Sequence, residues 1–210
     1  MFDKFFDGFT TSDSTPPPPA RFKRRLRKVD GFTELMSVAG GWTFGKGLYR
    51  LHSVGSGTIG QQALDSAFPE FAGRVSVFAF DWLGRQFAID FARELNGQPL
   101  LMMFEPGTSE ALEIPLPFSE FHNEELTAFH DEVLASGFFE SWAIANAGST
   151  PLGFSDCVGL TIPLQLGGSD TEENLEVVDF EVYWDLLAQI RASTHNSPVG
   201  ASIRAVSIEE

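Results

Sequence analysis

Residues 74–90, RVSVFAFDWLGRQFAID, predict the architecture of this chain more directly than any other segment. Residues 74–80 and 85–90 are rich in the branched and aromatic side chains that favour strands. The residues between them end in Gly84, which suits a tight connection. The segment therefore predicts a β-hairpin whose first strand is apolar on both faces, as in the centre of a sheet.

A second hairpin is predicted directly after the first. Residues 98–104 (QPLLMMF) and 110–114 (EALEI) flank residues 105–108 (EPGT), whose Pro-Gly pair suits the centre of a type II turn. The alternation of polar and apolar residues in EALEI is typical of an edge strand. Two antiparallel strand pairs therefore follow one another along the chain.

Helical patterns accompany the hairpins, and another strand is predicted before them at residues 47–54 (GLYRLHSV). Consecutive hairpins with helices around them predict an α+β fold, in which a mostly antiparallel sheet packs against helices. The predicted helices cover residues 58–68, 119–136 and 138–145, and a last helix with an apolar stripe begins after Asp179.

The composition is that of one globular domain. The chain has 210 residues, of which 43% are hydrophobic and 20% charged, and its 21 phenylalanines predict a core of large aromatic side chains. A single cysteine, Cys157, has no disulfide partner within the chain, and we expect it to be a small core residue. No membrane helix or signal peptide is recognisable, so the expected location is the cytoplasm.

The N-terminal arm carries phenylalanine at positions 2, 5, 6 and 9, which would form one stripe on a short helix. Two turns of helix are not stable alone in water. We expect the arm to dock on its own domain or on a second copy, which would give a homodimer; a partner-docking motif is the alternative. The TTSDSTPPPPA sequence that follows is an extended proline-rich spacer.

Charge is segregated along the chain. Six of the eight residues at 21–28 (RFKRRLRK) are basic, and this stretch is called the basic segment below. Residues 29–210 contain 26 Asp or Glu but only 7 Lys or Arg, a net charge of −19. The sequence thus predicts an N-terminal region, residues 1–28, and an acidic α+β domain, residues 29–210, against which the basic segment could lie.

A body this acidic repels nucleic acid and anionic membranes and attracts cationic surfaces. The expected partner is therefore a cationic protein, with no nucleic acid and no membrane. Solvated acidic faces are the simple explanation of the carboxylates, and complementarity to a basic partner is the functional one. The candidate partner-binding residues are Trp82, as an aromatic anchor or a core residue, and the acidic residues Glu124, Glu125, Asp131, Glu172 and Glu173.

A glycine motif is the basis for considering a nucleotide-binding enzyme. Gly55, Gly57 and Gly60 fit the G-x-G-x-x-G pattern of dinucleotide binding, between a predicted strand and a predicted helix and upstream of Asp81. The hairpin that follows argues against this function, because such folds need parallel β-α-β units. The alternative is a flexible glycine loop, and we expect no cofactor.

No catalytic or metal-binding constellation is recognisable elsewhere. The histidines His52, His122, His130 and His195 are dispersed and lack metal-ligand spacing. We expect His122 and His130 to be ordinary residues on a helix surface. The chain is therefore predicted not to be an enzyme.

Several segments resemble bacterial immunity proteins. The resemblance extends over residues 44–190 and is clearest in GLYRLHS, FAFDWLGRQFAID, LMMFEPGTSEALEIP and VGLTIPLQLGGSDTEENLEVVDFEVYW. The family is the domain shared by immunity proteins of type VI secretion DNase effectors, together with the broader SUKH-like immunity group. The most characteristic motif is P-x-x-L-G-G-x-D-x-x-x-N-L, formed by Pro163, Leu166, Gly167, Gly168, Asp170, Asn174 and Leu175.

The resemblance implies a non-enzymatic protein that binds a cognate toxin, a secreted nuclease effector, and blocks its active site. Within the motif, Gly167 and Gly168 are expected to permit a backbone turn that Asp170 and Asn174 cap, which makes the motif a feature of the fold. The alternatives are a regulatory adaptor that binds through the N-terminal arm and a nucleotide-binding enzyme that uses the glycine motif.

Overall fold

The computed structural model has a six-stranded antiparallel sheet at its centre, in which the strands lie in chain order. It describes residues 1–11, 13, 15 and 17–194. The predicted α+β class and both consecutive hairpins are confirmed. The strands are β1 (Thr43–Phe44), β2 (Tyr49–Leu51), β3 (Val75–Asp81), β4 (Gln86–Leu95), β5 (Gln98–Glu105) and β6 (Glu110–Pro117).

Burial along the strands follows their position in the sheet. Every residue of β3 is buried, in agreement with a central strand that is apolar on both faces. β6 is an edge strand whose residues are exposed or half-buried up to the buried Pro117. At the end of the first hairpin, Arg74 and Arg93 lie 2.6 and 2.8 Å from a carboxylate oxygen of Asp90, and this pairing offsets the cost of burying that carboxylate.

Helices cover both faces of the sheet. One cluster of buried residues contains Phe78 and Phe87 of the sheet and packs against the helices near the N-terminus and after β6. The other contains Phe80 and Phe104 and packs against two long helices. The helices are α1 (Asp3–Gly8), α2 (Phe32–Ala39), α3 (Val54–Ala67), α4 (Phe118–Glu120), α5 (Leu126–Ala128), α6 (His130–Leu134), α7 (Ser136–Ala145) and α8 (Phe180–Thr194).

The two long helices, α3 and α8, begin at capped residues. Ser53 and Ser56 form a capping box at the start of α3, where each side chain bonds the other's backbone N–H. The carboxylate of Asp179 accepts the N–H groups of Glu181 and Val182 at the start of α8. The two helices pack side by side, and residues of both line a shared surface cavity.

The helix predicted at residues 119–136 is broken in the structure. A π-helical turn, Phe121–Glu125, joins α4 to α5. Ala135 then adopts a left-handed conformation with φ of 51° and separates α6 from α7. The break turns α7 towards the connection between β3 and β4, where the ring of Phe138 packs 5.3 Å from that of Trp82.

The N-terminal arm is part of the domain core. Phe2, Phe5 and Phe9 are buried, and Phe6 is half-buried. The ring of Phe5 packs 5.0 Å from the ring of Phe44 in β1. The sheet and its helices cover the phenylalanine stripe, so the arm docks on its own domain. This packing stabilises a helix that is too short to form alone in water.

A second sheet of two strands, β7 (Asp156–Leu160) and β8 (Leu175–Asp179), lies beside the first hairpin. The N–H of Val158 donates to the carbonyl of Trp82 at 2.6 Å, which joins β7 to the β3–β4 connection. Cys157 is buried in β7, as predicted. In the part of the chain that the structure describes, no helix has the length and apolar character needed to cross a membrane.

Candidate partner-binding cleft

A cleft of about 270 Å³ opens where the β3–β4 connection, the β5–β6 connection, α7 and the β7–β8 sheet meet. We call it the acidic cleft. Parts of the chain far apart in sequence contribute to it, so only the tertiary fold assembles it. Its walls and rim include Leu83, Glu105, Phe138, Leu160, Asp170 and Tyr183.

The inner surface of the acidic cleft is mostly apolar. Phe138 is 37% exposed at the cleft and rests on the buried ring of Trp82. Leu83 and Leu160 line the cleft from the hairpin connection and from β7. An apolar interior with charged groups at its edge is the usual composition of a protein–protein contact.

Glu105, at the end of β5, is the carboxylate within this apolar surface. Its side chain is 21% exposed, and one oxygen accepts the N–H of Gly107 at 3.1 Å. The other oxygen lies 3.8 Å from Nε of Arg85, which is a weak ion pair. Burial raises the pKa of Glu105 from 4.5 to about 7, against the opposing effect of Arg85.

Arg85 cannot fully neutralise Glu105 because it is bound to another carboxylate. Its Nε donates to Oδ2 of Asp81 at 2.6 Å, and Nη2 donates to the carbonyl of Val133 at 3.0 Å. The short Arg85–Asp81 pair is buried and leaves Glu105 with a distant cation. When Glu105 is ionised, Asp81, Arg85 and Glu105 together carry a net charge of one negative unit. That charge lies on Glu105, which faces the cleft.

The rim on the β7–β8 side is a loop with fixed backbone geometry. Gly167 has φ of 89°, and a Cβ on Gly168 would lie 1.8 Å from the carbonyl oxygen of Ile162, so both positions require glycine. The amide of Asn174 accepts the N–H of Ile162 at 2.9 Å and donates to its carbonyl at 2.8 Å. The motif is thus a structural clamp that presents exposed Asp170 at the rim.

Trp82, the proposed aromatic anchor, is a core residue in the structure. Its side chain is fully buried, and its indole N–H donates to the carbonyl of Leu134 at 2.8 Å. A residue at a hairpin connection becomes buried here because α7 and β7 cover that connection. Phe138, which lies on Trp82 and reaches the cleft, is the aromatic side chain available to a partner.

The predicted acidic residues do not gather at one place. Glu172 and Glu173 are exposed and directly follow the cleft-lining residue Thr171. Glu124, Glu125 and Asp131 belong to the helices after β6 and do not line the cleft.

Asp131 has a structural role. Its Oδ1 accepts the N–H of Gly137 at 2.7 Å, which stabilises the break before α7. The sequence pattern did not single out Glu105, the most perturbed carboxylate of the cleft. Its position next to a Pro-Gly turn was visible, but its burial depends on distant segments.

The glycine motif is neither a nucleotide-binding loop nor a flexible loop. Gly55, Gly57 and Gly60 lie in the first turns of α3, which begins at Val54. A Cβ on Gly60 would meet Oε1 of Gln86 at 2.6 Å, so this glycine lets the helix pack closely on the sheet. The prediction placed the helix start too late because it assigned the glycines to a loop.

The histidines differ from one another in burial. His122 was expected on a helix surface but is fully buried, with Nε2 3.0 Å from the hydroxyl oxygen of Tyr49. Burial lowers its pKa to about 4, and that of the buried His52 likewise to about 4. His130 is exposed, as predicted, and His195 lies outside the described residues. Within residues 1–11, 13, 15 and 17–194, no three potential metal ligands cluster together.

Comparison with known proteins bears on the part of the chain that forms the cleft. Residues 123–191 match the family described as T6SS immunity protein Tdi1, C-terminal. This region is similar to a type VI secretion immunity protein. It contains α7, β7, β8 and the clamped loop.

Two further comparisons concern the whole chain. The crystal structure of Atu4351 from Agrobacterium tumefaciens has a similar fold, with a TM-score of 0.60 and 16% sequence identity. The similarity covers 90% of this chain and 89% of that chain, so the two share an architecture. No curated protein sequence matches this chain.

Proposed function

We propose that this protein is an immunity protein that binds a cognate type VI effector through the acidic cleft and blocks the effector's active site. The observation that carries the proposal is the position of the cleft. Two of its sides, α7 and the β7–β8 sheet, lie within residues 123–191, the region similar to type VI immunity proteins. The same cleft holds a carboxylate that is not closely paired, Glu105.

The effector that fits this cleft best is a nuclease. A nuclease must be cationic where it holds a polyanionic substrate, and an acidic inhibitor can occupy that surface in place of nucleic acid. The formal net charge of −15 on the whole chain would accelerate the encounter. A basic side chain of the effector would then enter the cleft, approach Glu105 and pack against Phe138.

Inhibition of this kind is stoichiometric and involves no turnover. The inhibitor contributes a surface that excludes the substrate, and buried contacts determine how long the complex lasts. We therefore expect one copy of the chain to neutralise one effector molecule, with an association rate that falls as salt is added.

The two alternative functions lose their structural basis. An adaptor that binds through the phenylalanine arm would need side chains that are instead buried in its own core, among them Phe2, Phe5 and Phe9. A nucleotide-binding enzyme would need a phosphate loop, and the glycine motif is part of α3.

Protection of a bacterial host tests the proposal. The products of the reading frames adjacent to this gene would each be expressed with and without the chain. We expect one of them to arrest growth and degrade DNA, and co-expression of the chain to restore growth. The purified pair should co-elute at a one-to-one ratio. Toxicity that the chain does not relieve, or relief without a physical complex, would contradict the proposal.

A replacement of Glu105 by Lys supplies the site-specific arm of this experiment. It reverses the charge at the bottom of the cleft and should abolish protection. Replacement of the exposed Glu94, at the opposite end of the β4–β5 pair from Glu105, by Lys changes the net charge equally and should leave protection intact.

A further inference from the structure

The basic segment has exposed Arg and Lys side chains that have no role in the proposed binding of an effector at the acidic cleft. Five of its side chains are exposed, and none of the ion pairs in the described part of the chain involves the segment. The expected contact of this segment with the acidic body is therefore made without a salt bridge among those residues. The exposed cations are Arg21, Lys23, Arg24, Arg27 and Lys28.

One arginine holds the segment in place. Arg25 donates to the carbonyl of Gly73 at 2.8 Å and to the hydroxyl of Ser76 at 2.7 Å, and its guanidinium lies 4.4 Å from the ring centroid of Phe91. Uncharged acceptors and an aromatic ring thus hold the Arg25 guanidinium, whose two terminal nitrogens donate hydrogen bonds while the buried Nε has no partner among the described residues. Its basic neighbours in the segment are exposed and form no ion pair with the residues that the structure describes.

A groove runs between this part of the chain and the start of α3. It consists of two adjoining cavities of about 280 and 310 Å³, which we call the basic groove. The cavities share Arg21, Phe22, Met36, His52, Ser53 and Val54 among their lining residues. Lys23 lines the first cavity, and prolines of the spacer line the second.

The groove combines an apolar interior with a cationic edge. Phe22, Phe32 and Met36 form apolar walls, and Val54 at the start of α3 is 59% exposed. The N-terminal end of α3 adds positive potential to that of Arg21 and Lys23. A groove with apolar walls and charge of one sign at its edge can hold an apolar side chain of a partner and the charged groups beside it.

We propose that the basic groove binds an extended acidic peptide segment of a partner protein, with an apolar side chain in the groove and carboxylates beside Arg21 and Lys23. The apolar walls have no role in holding a simple anion. A polynucleotide or an anionic membrane would also approach the rest of the body, whose net charge of −19 repels both. A short acidic peptide covers only the groove, so it meets less of that repulsion than a polynucleotide or a membrane does.

This site is separate from the acidic cleft. None of the residues that line the groove lines the cleft, and the two surfaces attract partners of opposite charge. Binding at the groove can therefore be tested without an effector.

The test uses fluorescence anisotropy with a short labelled peptide in which Asp and Glu alternate with Leu and Phe. The double variant Arg21→Glu/Lys23→Glu should weaken binding about tenfold or more, because two attractive rim charges become repulsive. Arg27→Glu/Lys28→Glu is the matched control, since it changes the net charge equally but lies outside the groove lining. It should shift the dissociation constant by no more than about threefold.

Two further peptides separate the apolar contribution from charge. Replacement of Leu and Phe by Ala should weaken binding to the wild type about tenfold, as should replacement of Asp and Glu by Asn and Gln. Circular dichroism would verify that each variant retains its fold.

Several results would overturn the proposal. The first is that the acidic peptide does not bind the wild type. The second is that the two double variants lose the same amount of affinity for the peptide. The third is that the wild type binds the Ala-substituted peptide as tightly as the original one. Tighter binding of single-stranded DNA or of phosphatidylserine vesicles at the same cations would assign the groove to another ligand. Self-association that only Arg21→Glu/Lys23→Glu abolishes would assign it to a second copy of the chain.

Discussion

The acidic cleft and the basic groove both have apolar walls, but their charged groups have opposite sign. The charged groups also differ in burial. In the cleft, the central charge is Glu105, partly buried and 3.8 Å from its nearest cation. In the groove, the charges are exposed side chains at the rim, including Arg21 and Lys23. Buried and exposed charges respond differently to salt, pH and mutation.

The difference indicates where specificity arises in each site. A carboxylate removed from water costs the free protein stability, which a correctly placed cation can recover on binding. Exposed cations cost nothing to maintain, but each contributes little because solvent and salt screen it. We therefore expect the cleft to be selective and pH-dependent, and the groove to be tolerant and salt-dependent.

The largest expected effect concerns the support of the cleft. Trp82→Ala should lower the free energy of unfolding by about 3–5 kcal/mol, because it leaves a cavity under α7 and an unpaired carbonyl at Leu134. Denaturant unfolding would measure this loss. Phe138→Ala, which removes a partly exposed ring from the same contact, should cost much less stability. Equal losses would show that the cleft surface is itself part of the core.

The next largest effect concerns the cognate effector. Glu105→Gln should weaken the complex by about 2 kcal/mol or more, since a desolvated charge pair loses one partner. Isothermal titration calorimetry would measure the affinity, with Glu94→Gln as the matched exposed control. The wild-type affinity should fall from about pH 8 to about pH 6 as Glu105 becomes protonated, and the variant should lack this component. If the affinity has the same pH dependence in both proteins, Glu105 does not bind the basic side chain of the effector.

The same substitution should stabilise the free protein. The folded-state pKa of Glu105, about 7, lies above the ordinary value of 4.5, so its ionisation destabilises the fold as pH rises between these values. Glu105→Gln should therefore raise the free energy of unfolding by about 1–3 kcal/mol at alkaline pH. The gain should vanish below about pH 4.5, where the carboxyl group is protonated in both states. A gain that is independent of pH would have another cause.

The smallest effect concerns the exposed rim. Glu172→Gln and Glu173→Gln should each weaken the effector complex much less than Glu105→Gln does, mainly through slower association at low salt. Stopped-flow kinetics at two salt concentrations would measure the association rate. An effect as large as that of Glu105→Gln would mean that the rim, and not the cleft interior, carries the contact.

Local patterns predicted much of the fold but little of the site. The strand pair around Gly84 and the last helix after Asp179 were predictable because alternation, turn residues and capping act between neighbours in sequence. Trp82 was ambiguous because its burial depends on Val158 and Leu134, which are remote in the chain. The boundary between the helices predicted at residues 119–136 and 138–145 lies at Ala135, where an alanine adopts a left-handed conformation that usually requires glycine.

By itself, the sequence determined the succession of strands and helices, the phenylalanine stripe of the arm and the separation of basic from acidic residues. These follow from side-chain periodicity and charge, which are properties of neighbouring residues. The tertiary structure alone decided that Trp82 is buried, that Glu105 has a raised pKa and that the basic segment borders a groove. Burial and desolvation depend on which distant segments meet, and that is settled only when the chain packs.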